Sequence, residues 1–77
     1  MKNLFRKSHF VIIIPRDEIE IFCQAATDTL GPGIEIQREP ISLTKVIAKV
    51  IYPDGIQPRK FVDLGTRFNE LLQSQTL

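Results

Sequence analysis

Few residues in this chain can do chemistry, and their spacing limits what they can do. Asp17 and Glu18 come directly after the apolar run Phe10–Ile14 and Pro15, where a strand end often delivers a catalytic carboxylate. General acid–base work needs a second titratable group held beside them, and no motif supplies one. The acids also have a structural use, because negative charge in the first turn of a helix complements the helix dipole. Ile19, Phe22, Cys23, Ala26 and Leu30 then recur at helical spacing and define one apolar stripe. Asp17 and Glu18 are therefore read as helix starters. Their charge also makes that helix end a poor site for an anion.

Cys23 lies within the apolar stripe, where a thiol behaves as a small hydrophobe. A reactive thiol needs a nearby positive charge, and none is close in sequence. His9, at the edge of the first apolar run, is read as an ordinary hydrogen-bonded or exposed histidine. One cysteine and one histidine cannot build a disulfide or a four-ligand zinc site within the chain. No nucleophile elbow, Walker loop, dinucleotide fingerprint or metal-spaced acid cluster is present. Gly31-Pro32-Gly33 follows a helix instead of opening one, so it reads as a stop. The expectation is a non-enzymatic protein with no cofactor.

The elements that position these residues follow from pattern. His9–Ile14 reads as a strand apolar on both faces, typical of a central strand or of one sandwiched at a subunit interface. Ile34–Arg38 alternates apolar and polar and reads as a half-exposed strand ending near Pro40. Residues 42–52 fit a helix stripe or a strand. Their β-branched content and the basic first turn a helix would have favour the strand, with the helix left open. Tyr52-Pro53-Asp54-Gly55 is a turn signal. If it closes a hairpin, a fourth, short and irregular strand returns through Ile56–Val62, although Pro58 lacks a ladder donor. Leu64, Phe68, Leu71 and Leu72 mark a second helix from about Asp63 to Gln73, with Asp63 placed to cap it and pair with Arg67.

The fold expected is a small single α+β domain over residues 1–77, in β-α-β-β-(β)-α order. Two helices would pack on one face of a mainly antiparallel sheet of three to four strands, with loose ends at 1–7 and 74–77. A chain of 77 residues buries only roughly 60–65% of its unfolded surface, so a partner subunit or ligand is a natural source of further stability. The charge is segregated. Residues 1–16 hold four basic side chains and no acid, whereas residues 17–39 hold six acids and Arg38 alone. Such patterning favours self-association or an oppositely patterned partner. The apolar run Phe10–Ile14 is too short for a secretory core or a membrane span. A cytoplasmic location without membrane contact is expected.

Two surfaces follow for a partner. The first is strand one, through Phe10, Ile12 and Ile14, meeting a protein or a second copy. The second is the hairpin, where Lys45, Ile47 and Lys49 on one strand would join Arg59 and Phe61 on the next. Basic residues interleaved with apolar and aromatic ones resemble a nucleic-acid-binding sheet, but a sequence pI near 7.9 is low for one. The leading expectation is an accessory or regulatory protein that binds protein and self-associates. A nucleic-acid-binding hairpin is the alternative, and an enzyme whose site forms between subunits is the third reading.

Overall fold

The structure is a computed structural model that describes residues 7–75. The chain runs β1 (Lys7–Pro15), a 3-10 turn (Arg16–Glu18), α1 (Ile19–Leu30), β2 (Glu35–Pro40), β3 (Lys45–Pro53) and α2 (Pro58–Ser74). The strands form one antiparallel sheet in the order β1-β3-β2, and both helices lie on one face of it. The α+β class and the layered packing are as expected. The loose ends expected at 1–6 and 76–77 lie outside the described residues, while Lys7 opens β1 and Ser74 closes α2.

β1 ends at Pro15, whose extended backbone (ψ 140°) precedes the 3-10 turn carrying Asp17 and Glu18. These acids sit in the 3-10 turn that leads into α1, and Glu20 carries the negative charge in the first turn of α1 itself. Gly31 ends α1 with φ +95° and ψ 173°, a region that only glycine occupies without strain. Its N–H donates to the Thr27 carbonyl at 3.0 Å. Residues 45–53 form a strand, as the β-branched content favoured. The tight connection from β2 is held by Ser42, whose Oγ accepts N–H bonds from Thr44 at 3.2 Å and Lys45 at 3.1 Å.

Two expectations are corrected. The fourth strand is not there: Asp54 and Gly55 do turn the chain, with Gly55 at φ +100°, but the turn feeds α2, which begins at Pro58. Proline suits this place, since its fixed φ and missing N–H match the first helical position and would have left a gap in a strand ladder. The helix thus starts five residues before Asp63. Arg67 then pairs with Asp28 of α1 at 3.2 Å and with Glu70 at 3.8 Å. The other correction concerns one of the two placements expected for β1: it is not the central strand, since β3 holds the centre with β1 on one side and β2 on the other, and the placement at a subunit interface stays open.

Side-chain alternation sorts the residues into two layers. Ile14 of β1 and Val46, Ala48 and Val50 of β3 face the helices and are buried with Phe22, Ala25 and Ala26 of α1 and Leu64 of α2. Alanines 25, 26 and 48 are all fully buried, so small side chains let α1 settle close on the central strand. Phe22 meets Phe68 edge-on, with centroids 5.4 Å apart, and locks the two helices together.

Truncating Phe22, only 2% exposed, to alanine is expected to cost about 3–5 kcal/mol. Val62→Ala, at 68% exposure, is expected to change stability by less than about 0.5 kcal/mol. Urea denaturation of the two variants checks the pair. Gly31→Ala should cost about 1–3 kcal/mol through backbone strain alone, read by the same titration.

Candidate protein-interaction surface

The face of the sheet turned away from the helices carries alternate residues of each strand. Register sets three rows across β1, β3 and β2 in turn: Ile13, Ile47 and Glu39; Val11, Lys49 and Gln37; His9, Ile51 and Glu35. Val11 and Ile13 are each 55% exposed, and Ile47 and Ile51 are half-buried. An antiparallel sheet open to solvent on one side normally carries polar residues there. Here an apolar band runs across β1 and β3, with lysines 45 and 49 on the central strand and glutamates 35 and 39 along the β2 side.

The two expected surfaces are redistributed. Lys45, Ile47 and Lys49 do share a face, as strand alternation requires. Arg59 and Phe61 do not join them, because they ride on α2 on the opposite side of the sheet. Phe61 packs edge-on against Phe10 at 5.9 Å and Tyr52 at 5.1 Å. On β1, Ile14 is 1% exposed and belongs to the chain's own core, so it is unavailable to a partner. Phe10 is half-buried in the aromatic cluster, and Ile12 keeps 36% exposure. The residues of β1 that face outward are Val11 and Ile13. Alternation along a strand could have named them, had β1 been recognised as an edge with one face uncovered.

Ile12 stays exposed for a reason. A groove of about 440 Å³ opens beside β1, lined by Phe10, Ile12, Tyr52, Phe61, Gly65 and Phe68 among others. None of its lining residues is charged. Gly65 is unusual within it, since a glycine in a helix interior costs about 1 kcal/mol against alanine. A Cβ built there would meet nothing within 4 Å. Packing among the described residues therefore does not require that glycine.

Cys23 lies at a separate shallow surface with Glu20, Gln24, Thr27 and Asp28. Folding brings to it the positive charge absent from its sequence neighbourhood, Arg38 of β2. That guanidinium is already engaged by Glu20, at 2.6 Å to Oε2 and 3.4 Å to Oε1. Burial pushes the Cys23 thiol above its ordinary pKa and outweighs the lowering by Arg38. The thiol is thus held in its unreactive, protonated form. Among the described residues, no group of three histidine, cysteine, aspartate or glutamate side chains could hold a metal ion, and no helix is long and apolar enough to cross a membrane.

Comparison with known proteins finds no matching family model, curated protein or solved structure.

Two outcomes test this description. Gly65→Ala should raise the stability of the isolated chain by about 0.5–1 kcal/mol, measured by thermal unfolding at low concentration. Cys23 should alkylate more slowly than a free thiol. Because its folded pKa is raised, the folded chain keeps its proton where the unfolded chain loses it. Stability is therefore expected to fall as pH rises through the thiol range, and a Cys23→Ala variant should lack that fall.

Proposed function

We propose that this chain is a small non-enzymatic accessory or regulatory protein that works through protein–protein contact and self-associates. The observation that supports this reading is the uncovered sheet face. Val11 and Ile13, each more than half exposed, adjoin the band formed with Ile47 and Ile51, and among the described residues no helix lies over them. Solvent contact with such a contiguous band is unfavourable by about 25 cal/mol for each Å² that a partner would remove from water. Apolar patches of this kind on small soluble proteins mark interaction sites. Lys49 in the middle of the band contributes its aliphatic stem to such a contact while its ammonium reaches for the rim.

The charged residues of this face favour a protein partner over a phosphate backbone. Lys45 and Lys49 are balanced by Glu35 and Glu39 on the neighbouring strand, and Arg59 no longer adds to them. Cytoplasmic residence fits the lone thiol and belongs to the same proposal.

Light scattering on a sizing column, at low and high salt and with and without RNA or DNA, tests the reading. The expected result is an associated species that persists at high salt and ignores nucleic acid. Salt-sensitive retention on RNA, abolished by Lys45→Ala with Lys49→Ala, would instead establish the nucleic-acid alternative.

A further inference from the structure

The two edges of the sheet are built differently. β2, one edge, is six residues long and carries Glu35, Arg38, Glu39 and a terminal proline. Proline ends β1 as well, so what sets β2 apart is its short length and its charges, two devices that stop an edge strand from pairing with another chain. β1, the other edge, is nine residues long and pairs with β3 in unbroken register from Lys7 to Pro15, so no bulge twists it away. From Ser8 to Ile14 it holds no lysine, arginine, aspartate or glutamate. Among the described residues, no strand pairs with its outer side. One edge is defended and the other is not.

We infer that β1 is a pairing edge whose partner is β1 of a second copy, joined antiparallel about Val11 into a six-stranded sheet. The inference rests on the self-association proposed above and specifies how it is made. An antiparallel two-fold pairing centred on Val11 uses all nine residues, setting Val11 against Val11, His9 against Ile13 and Phe10 against Ile12. Each residue meets one that points to the same face, so the apolar band of the open side runs on across the joint. The helix-side residues Phe10 and Ile12 likewise meet their counterparts.

Charge agrees with this orientation. Antiparallel pairing draws Lys7, at one end of β1, toward the other end of the second copy's strand, where Asp17 and Glu18 outnumber Arg16. Two-fold symmetry repeats the attraction at the far side. Self-pairing of β2 would do the opposite, because a two-fold axis at Gln37 sets Glu35 against Glu39, and like charges directly opposite repel.

The groove beside β1 supplies an independent reason. It is apolar, it borders the free edge through Phe10 and Ile12, and Gly65 keeps it open although none of the described residues fills the space. In the paired sheet, Ile12 of the second copy falls across from Phe10, at the mouth of this groove. The cost of an interior glycine is then explained by an occupant that arrives only on association.

Sedimentation equilibrium of the full chain and four variants tests the inference. The wild type is expected at twice the 8.8 kDa chain mass. Val11→Lys and Val11→Glu each place like charges across the joint and should raise the dissociation constant by about tenfold or more. An equimolar mixture of the two should restore the dimer, which also shows that both variants remain folded. Ile47→Lys on the central strand and Gln37→Lys on the defended edge should leave the dimer intact. If Ile47→Lys dissociates it as fully as Val11→Lys does, the copies stack by their open faces, and edge pairing is overturned while self-association stands. If the mixture fails to restore the dimer, edge pairing is overturned as well. A wild-type chain that stays monomeric at every concentration overturns both proposals.

Discussion

The structure depends on β3. Among the described residues it is the one strand with a neighbour on each side, and its helix-facing residues Val46, Ala48 and Val50 are among the most completely buried. Because Ala48 is small, α1 can seat Ala25 and Ala26 in the same core cluster, and α2 is then fixed through Phe22 and Phe68. In a chain this short the margin between apolar burial and chain entropy is narrow. Stability is concentrated on one side of one sheet, which leaves the other side and both edges to be explained.

The side-chain bonds that tie one element to another here lie at the surface and act as positioning devices. Arg38 holds β2 to α1 through Glu20, Arg67 holds α2 to α1 through Asp28, and Ser8 donates to Asp54 at 2.8 Å, fastening β1 to the turn before α2. Exposed pairs of this kind contribute about 0–1 kcal/mol each. Their consequence is geometric: α2 is tied to α1 and meets β1 through the Phe10–Tyr52–Phe61 cluster, with the groove between them left unfilled. The open face, the unpaired edge and the groove all meet at β1.

Much of the fold was legible in the sequence. Acids after Pro15, an apolar stripe and Gly31-Pro32-Gly33 defined α1, and the alternation at Ile34 and Ile36 defined β2. The fourth strand was misread because Tyr52-Pro53-Asp54-Gly55 is a turn whatever follows it. The deciding residue was Pro58, together with Phe61, which extends the stripe Leu64–Phe68–Leu71 back by one helical turn. For β1 the sequence left two placements, central or at a subunit interface, and the strand order removes only the first. A run of branched apolar residues says that both faces can be buried, but strand order is a tertiary property, and sequence pattern does not reveal which neighbour is missing. The candidate surface changed with both. Ile14 went to the core, Arg59 and Phe61 to the helix layer, and the outward pair Val11 and Ile13 emerged only with the register.

Amide hydrogen exchange, followed residue by residue at concentrations above and below association, tests most directly the claim that β1 is the strand this protein offers to others. The account predicts that at high concentration the amides of β1 exchange as slowly as those of central β3 along its whole length, while alternate amides of β2, facing solvent at the defended edge, exchange fast. On dilution, alternate amides of β1 should become as fast as those of β2. Alternate β1 amides that exchange as fast as those of β2 at every concentration would contradict it.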